Sequence, residues 1–291
     1  MIKLVACDLD GTLFNSKVEI SQENIQAIRA AQENGIEFLI ATGRGPTQSQ
    51  QIIRKAGLKT GFININGALV FNKDGELQVK CAIPAAKVTQ IVALLQKRHL
   101  YFEIIAANHA YTESIRKRID YLAQMLVTLN PKLTLPQARI TAANNKALLN
   151  IIEVNSYREL LVNKNIEVMK IIAFDARGAD AFIDVKKDIK RLGGLAVTSS
   201  SAANIEINAE RAQKGIALLD YAKIRGIKRE EVAAIGDNLN DESMISNAGV
   251  GVAMGNAVPR IKKLAQVVTK TNNDNGVAYI LNKFIAANAQ K

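Results

Sequence analysis

Two aspartates, Asp8 and Asp10, follow the apolar run KLVAC and precede Gly11. Residues two positions apart can point the same way where a strand ends, and glycine lets the backbone turn and approach a ligand closely. Two carboxylates this close repel each other, so they need a cation or a shared proton between them. By itself the pair is also compatible with solvated loop aspartates before a turn.

A second polar segment, Thr42-Gly43-Arg44, follows the apolar run IEFLIA and precedes a helical pattern. A hydroxyl and free backbone N–H groups ahead of a helix form a natural cradle for an anion. Alone, the segment could equally be a strand-to-helix cap.

A third segment, Gly236–Asp241, follows the apolar run VAAI and contains Asp237, Asp241 and two asparagines, one of them Asn240. Carboxylate and amide oxygens are the ligands that a hard cation such as Mg²⁺ prefers. Taken alone, this segment would be read as a turn.

Lys214-Gly215 begins an apolar pattern of helical spacing, and its ammonium could lie beside a phosphate. In isolation Lys214 would be a surface lysine. The joint occurrence of the four segments, in this order and at the ends of predicted elements, favours one shared site.

Short apolar runs alternate with helical patterns in the part of the chain that carries the first two segments. We predict strands at 3–8, 36–41 and 61–65, helices from Ser21 to Asn34 and from Pro46 to Gly57, and a hairpin around Lys73-Asp74-Gly75. The C-terminal part resumes this rhythm, with strands at 232–237, 249–254 and 267–269, and helices ending near Asn247, spanning about 257–265 and starting at Gly276. Such alternation is typical of an α/β fold with a doubly wound parallel sheet.

The stretch between these parts mixes longer helices with strands and lacks a strong motif of its own. The economical interpretation is a core formed by residues 1–83 and 209–291, interrupted by an inserted α/β domain at 84–208. Because ligands bind at the carboxyl ends of the strands in open α/β sheets, the site is expected on the core.

The composition fits a globular protein with a sizeable core, since 48% of the 291 residues are apolar and 22% are charged. The apolar runs are too short to span a bilayer, and the N-terminus lacks the features of a signal peptide. Two cysteines provide neither a disulfide framework nor a zinc set. We therefore expect a cytoplasmic protein with no membrane partner.

The net charge of +11, from 38 basic and 27 acidic residues, raises the alternative of a non-enzymatic module that binds phosphate or nucleic acid. The basic residues are scattered, however, and the eight Phe and six Tyr do not interleave with them as a stacking platform would require. We expect a solvated basic surface that attracts anions, and no nucleic-acid partner.

The four segments, written DLDGTL, ATGR, KG and GDNLND, resemble the four motifs of the haloacid dehalogenase-like phosphohydrolases. The order is similar to that of the Cof-type branch, which carries a large α/β cap between the second and third motifs. Asn66-Gly67-Ala68 also matches the N-G-A signature of that branch. The resemblance implies a Rossmann-like core, dependence on Mg²⁺ and hydrolysis of phosphate monoesters.

Roles for individual residues follow from this resemblance. Asp8 would be the nucleophile that forms a phosphoaspartyl intermediate, and Asp10 would protonate the leaving alcohol and later deprotonate water. Mg²⁺ would be held by Asp8, the backbone carbonyl of Asp10 and Asp237, with Asp241 orienting the metal shell or Lys214. The phosphate is expected to meet Thr42, Gly43, Arg44, Asn66, Gly67, Lys214 and Asn240.

The expected substrate is a small phosphorylated metabolite, with sugar phosphates favoured over other phosphate monoesters. A phosphotransferase or mutase would use the same intermediate and the same motifs, so that alternative stays open. The oligomeric state is not encoded in any of these patterns.

Overall fold

Residues 82–209 form a unit of their own, and the residues before and after this segment together form the other unit. The structure is a computed structural model that describes residues 1–130, 132–144, 151–201 and 203–290. The insertion was expected at 84–208, and its role as a cap stays a prediction. Among the described residues, no helix is long and apolar enough to cross a membrane.

The first segment of the core alternates strands and helices, as its sequence predicts. Its elements are β1 (Leu4–Asp8), α1 (Gln22–Glu33), β2 (Glu37–Ala41), α2 (Pro46–Lys55), β3 (Gly61–Asn64), β4 (Leu69–Phe71) and β5 (Leu77–Lys80). Ser21 caps α1, because its side chain accepts a hydrogen bond from the Asn24 backbone N–H at 3.1 Å. Pro46 occupies the first turn of α2, where a missing N–H has no cost.

Within its described residues, the inserted unit has its own six-stranded sheet, in the order β10-β11-β9-β6-β7-β8. Its elements are α3 (Ala85–Lys97), β6 (Tyr101–Ile105), β7 (Ala110–Thr112), α4 (Ile115–Leu129), α5 (Leu135–Ala143), β8 (Ile151–Glu153), α6 (Tyr157–Val162), β9 (Lys170–Phe174), α7 (Ile183–Leu192), β10 (Leu195–Thr198) and β11 (Asn204–Ala209). Ile104, Ile171 and Ile207 lie at neighbouring register positions of the three central strands and are fully buried. They form the core of this unit on one face of the sheet.

The last segment returns to the core. Its elements are α8 (Lys214–Ile224), β12 (Val232–Gly236), α9 (Glu242–Asn247), β13 (Val250–Ala253), α10 (Pro259–Leu264), β14 (Val267–Val268) and α11 (Gly276–Ala289). The eight core strands are ordered β14-β13-β12-β1-β2-β3-β4-β5. They are parallel from β14 to β3, and the predicted β4–β5 hairpin adds two antiparallel strands at one edge.

The direction of winding reverses at β1, since the chain moves outward through β2 and β3 on one side and through β13 and β14 on the other. This reversal confirms the predicted doubly wound α/β core. Ala6 of β1 lies between Ala234 of β12 and Leu39 of β2, and all three are fully buried. Adjacent parallel strands end at the same sheet edge, so the loops after β1, β2 and β12 meet at the crevice where such folds bind ligands.

Candidate active site

Asp8 is the last residue of β1 and is almost fully buried, with 4% of its surface exposed. Residues 9–13 then form one wide turn, closed by a hydrogen bond from the Phe14 N–H to the Leu9 carbonyl at 2.8 Å. Gly11 adopts a φ of +83°, and a Cβ at this position would lie 2.5 Å from Asp237 Oδ2. The glycine is therefore required by the turn and by a neighbouring carboxylate at once.

Asp237 follows β12 and faces the same turn. Its Oδ1 accepts a hydrogen bond of 2.7 Å from the hydroxyl of Thr12, to which sequence reasoning assigned no role. Burial and the nearby charge of Asp241 raise the pKa of Asp237 to about 6, although the Thr12 hydroxyl acts in the opposite direction. Burial, with a further contribution from Asp241, likewise raises the pKa of Asp8 well above its usual range.

Lys214, the first residue of α8, has no exposed surface and reaches two carboxylates. Its Nζ donates to Asp8 Oδ1 and to Asp241 Oδ1, each at 2.6 Å. Burial opposes the charge on the ammonium, but Asp241 and Asp8 outweigh it and raise the lysine pKa. The predicted surface alternative for Lys214 is wrong.

Gly215 allows α8 to bring Lys214 this close. A Cβ on Gly215 would lie 2.1 Å from the Ser243 carbonyl oxygen at the start of α9. The Gly215 N–H also donates to Ser243 Oγ at 3.0 Å. Direct backbone contact between α8 and α9 thus positions Lys214. The Lys-Gly dipeptide alone does not indicate this contact.

Asp241 is fully buried, and hydrogen bonds occupy both of its oxygens. Oδ1 accepts from Lys214, while Oδ2 accepts from the backbone N–H groups of Asp237 and Asn238 at 2.9 and 3.0 Å. Asp241 thus contacts Lys214, and its expected role of orienting the metal shell or Lys214 stays a prediction. Asn240 lies in the same short turn and is 9% exposed.

Asp8, Asp237 and Asp241 each place one carboxylate oxygen within 4.8 Å of the others, so the cluster could hold a metal ion. The Lys214 ammonium bonds two of these three carboxylates, and burial, together with the nearby charge of Asp241, raises the pKa of both Asp8 and Asp237. A hard cation with oxygen ligands would relieve this repulsion, so the residues present fit such an ion. The Asp10 carboxylate does not belong to this cluster, which leaves its backbone carbonyl as the expected contribution.

The carboxylate of Asp10 instead pairs with Arg44. Arg44 Nε lies 2.8 Å from Asp10 Oδ2, and Nη2 lies 2.5 Å from Oδ1. The guanidinium also stacks over the Phe14 ring, 5.5 Å from its centroid. The Arg44 side chain, which was expected at the phosphate, thus engages the predicted acid–base residue in this structure.

The loop after β2 differs from the predicted cradle of free N–H groups. The Thr42 N–H donates to the Ile63 carbonyl at 2.8 Å, and the Arg44 N–H donates to Thr42 Oγ1 at 3.2 Å. The prediction was wrong for these two groups, because both N–H groups already donate to partners within the protein. Thr42 is 1% exposed, and Gly43 between them is half-buried.

The end of β3 and the loop that follows it contact the loop after β2. Asn64, fully buried, donates from Nδ2 to Ser49 Oγ at 2.7 Å and to the Arg44 carbonyl at 3.2 Å. Asn66 donates its N–H to the Thr42 carbonyl at 3.1 Å, and Gly67 packs against the residue that precedes Lys214. Asn66 therefore links the loop after β3 to the loop after β2, and Gly67 packs this loop against the start of α8.

Asn256 is a further residue that sequence reasoning missed. Its Nδ2 donates to the Gly11 carbonyl at 2.8 Å, and its Oδ1 accepts from the Asn272 N–H at 2.9 Å. Asn272 in turn donates from Nδ2 to the Phe14 carbonyl at 2.8 Å. Two loops from the far end of the chain thus hold the turn after Asp8, and no local pattern near Asn256 signals this.

Comparison with known proteins found relatives that match this chain over nearly its whole length. A family model described as haloacid dehalogenase-like hydrolase matches residues 5–281. Phosphatase YwpJ of Bacillus subtilis (strain 168) is 35% identical over 287 residues, covering 96% of this chain and 99% of that protein. From the same organism, 5-amino-6-(5-phospho-D-ribitylamino)uracil phosphatase YwtE is 30% identical over 289 residues, covering 98% of this chain and 99% of that protein. The solved structure of a haloacid dehalogenase-like hydrolase from B. subtilis superposes with a TM-score of 0.85 at 35% identity, covering 97% of this chain and 99% of that one.

Proposed function

The chain belongs to the haloacid dehalogenase-like hydrolases, and we propose that within this family it hydrolyses small phosphate monoesters, in particular sugar phosphates, with the help of Mg²⁺. Membership confirms the resemblance seen in the motifs, and the names of its relatives confirm the predicted enzyme class, a phosphatase. The metal, the substrate class and the residue roles below are our proposals.

One observation carries the proposal: the buried ammonium of Lys214 joins Asp8 to Asp241 beside Asp237. A carboxylate held in this way can attack phosphorus, because the lysine ammonium, together with a bound metal ion, would offset the repulsion between two anions. In the first step a bond forms between an Asp8 oxygen and phosphorus, and the bond to the leaving oxygen breaks. In the second step water attacks phosphorus, releases phosphate and regenerates the Asp8 carboxylate.

Asp8 and Asp237, with the backbone carbonyl of Asp10, would hold Mg²⁺. The ion would neutralise phosphate charge and thereby let the anionic nucleophile approach. Thr12 keeps the Asp237 carboxylate in place through its hydrogen bond of 2.7 Å. Asp241 fixes the lysine and the backbone after β12 in the same way.

The phosphate oxygens would be bound by the Lys214 ammonium, the Thr42 hydroxyl and the Asn240 side chain. The Lys214 ammonium can donate a hydrogen bond to the phosphate without moving far, since its partner Asp8 is the attacking group. The Thr42 backbone bonds Ile63 of β3 and Asn66, and its Oγ1 accepts from the Arg44 N–H, so the hydroxyl needs little reordering when phosphate binds.

Asp10 would donate a proton to the leaving oxygen and accept one from the attacking water. Its side chain is 51% exposed, so it can meet a substrate entering from solvent. Arg44 fixes the direction of this carboxylate through two parallel hydrogen bonds. We therefore assign Arg44 to positioning Asp10 rather than to the phosphate.

The substrate class rests on the relatives. The name of one relative, YwtE, specifies a phosphate on a D-ribityl group, which is a small polyol. A small hydroxyl-rich phosphate monoester is therefore the substrate that we propose here, with the inserted unit selecting the leaving group. Phosphoryl transfer to a second substrate instead of water is the remaining alternative.

Release of phosphate from p-nitrophenyl phosphate, with and without Mg²⁺, tests the proposal. We expect Mg²⁺-dependent release by the natural chain, none by Asp8→Asn, and full activity of Glu33→Gln, a control at an exposed carboxylate at the end of α1 on the core unit. Release by Asp8→Asn at the natural rate would refute the nucleophile. A panel of sugar phosphates and other phosphate monoesters, followed by phosphate and product analysis, then identifies the substrate and separates hydrolysis from transfer.

A further inference from the structure

A cavity of about 220 Å³ lies on the core unit between α2, the start of β3 and the turn of the β4–β5 hairpin. Phe62, near the first residue of β3, and Leu58 supply apolar lining and are both buried. The catalytic carboxylates lie at the carboxyl ends of the parallel strands, whereas this cavity lies at the opposite end of β3. At about 3.3 Å per residue, the strand separates it from Asn64 by roughly 10 Å.

The rim of the cavity is basic. Arg54, Lys59 and Lys73 line it, together with a single carboxylate, that of Asp74. Lys59 pairs with Asp74 at 2.7 Å, which ties the loop before β3 to the hairpin turn. Within the described part of the chain, the side chains of Arg54 and Lys73 form no hydrogen bond or ion pair, so both cations are available to a ligand.

Thr60 supplies a second and independent feature. It lines the cavity, only 3% of its surface is exposed, and its hydroxyl has no hydrogen-bond partner among the described residues. Buried hydroxyls are nearly always paired, because leaving one unpaired costs free energy. The hydroxyl oxygen itself has almost no exposed surface, so the Thr60 side chain must turn toward the cavity before a ligand oxygen can accept this hydrogen bond, and that turn would relieve the unpaired hydroxyl.

We propose that this cavity binds a small metabolite that carries a phosphate or carboxylate group, at a site separate from the catalytic carboxylates. Arg54 and Lys73 bind the oxyanion, the Thr60 hydroxyl donates to it, and Leu58 with Phe62 contacts the apolar part of the ligand. The volume is below the range of about 300–1,000 Å³ typical of drug-sized ligands, which favours a small metabolite. The site does not depend on the proposed catalytic function.

Titration of the ¹⁵N-labelled full chain with sodium phosphate and, separately, with citrate tests this site by the amide signals of Thr60 and Gly75. We expect at least one anion to shift these signals saturably, independently of any shift at Gly11 or Gly43 of the catalytic site. Which anion binds more tightly distinguishes a phosphate ligand from a carboxylate ligand. No saturable shift of Thr60 or Gly75 with either anion would overturn the proposal.

Matched variants make the test specific. Arg54→Ala should weaken binding about tenfold, since it removes a charged hydrogen-bond donor. Lys55→Ala, at the neighbouring position on α2 that does not line the cavity, should leave binding unchanged. If both variants weaken binding equally, the effect is general surface charge and the site is refuted.

Thr60→Val removes the hydroxyl at nearly constant volume. We expect weaker anion binding together with a higher melting temperature of the ligand-free protein, because a buried unpaired polar group has been replaced by a methyl group. A stable Thr60→Val variant that binds the anion as the natural chain does would contradict the assigned role of the hydroxyl. Melting curves of all three variants identify any loss of binding that arises from unfolding.

Discussion

Lys214 and Asp241 form an ion pair with 2.6 Å between Nζ and Oδ1, and neither side chain has any exposed surface. Water cannot replace either partner, so loss of one leaves the charge of the other poorly compensated. Lys214 also bonds Asp8, which couples the folding of this region to the position of the proposed nucleophile. Stability and activity should therefore respond differently to changes in this pair.

Removal of the Asp241 charge tests this coupling. Asp241→Asn should lower the free energy of unfolding by about 3 kcal/mol, because it weakens the compensation of a buried ammonium. The double variant Lys214→Met/Asp241→Asn should recover part of that stability and none of the activity. Urea unfolding and phosphate release measure the two effects in Asp241→Asn, Lys214→Met and the double variant. A double variant whose loss of unfolding free energy equals the sum of the two single losses would argue against the coupling.

The hydroxyl of Thr12 should set metal affinity through Asp237. Thr12→Val should raise the Mg²⁺ concentration for half-maximal activity by about 10- to 100-fold, the usual effect of losing a group that orients a metal ligand. Thr12→Ser keeps the hydroxyl and should stay close to the natural chain. An unchanged Mg²⁺ titration in Thr12→Val would show that the hydrogen bond to Asp237 does not matter for the metal.

Arg44 should affect proton transfer more than phosphate binding. Arg44→Ala should slow hydrolysis of an alkyl phosphate about tenfold or more, because the leaving alkoxide needs a correctly placed acid. Hydrolysis of p-nitrophenyl phosphate, whose leaving group needs little protonation, should change less, and inhibition by inorganic phosphate should be nearly unaffected. Equal losses on both substrates with weaker phosphate inhibition would return Arg44 to the phosphate-binding role first expected for it.

The glycine after Lys214 should be irreplaceable for steric reasons. Gly215→Ala would force a Cβ to within 2.1 Å of the Ser243 carbonyl oxygen, so α8 and α9 must separate. We expect a loss of about 1–3 kcal/mol in stability, as for overpacked cores, and a large loss of activity as Lys214 moves. Gly45→Ala is the control, because nothing lies within 4 Å of a Cβ there. Natural activity in Gly215→Ala would mean that this helix contact does not position the lysine.

The sequence alone determined the order and type of the core elements. It also placed several polar residues, including Asp8 and Asp237, at the ends of strands. Both are local properties: β1 is a continuous apolar run that ends at Asp8, and the helices carry caps such as Ser21. Parallel strands then bring their carboxyl ends together whatever the loops do, which is why polar residues at those ends could be assigned to one site.

Only the tertiary structure decided how these side chains are paired. Thr12 and Asp237 are 225 positions apart, and Asn256 lies 245 positions from Gly11, so no periodicity connects them. The Arg44 side chain pairs with Asp10 at the exposed edge of the site, and the N–H groups of Thr42 and Arg44 bond to partners within the protein, because the fold brings these groups within hydrogen-bond distance. The sequence names the groups available at a strand end, whereas the distances between loops, set by packing across the whole core, decide which of them meet.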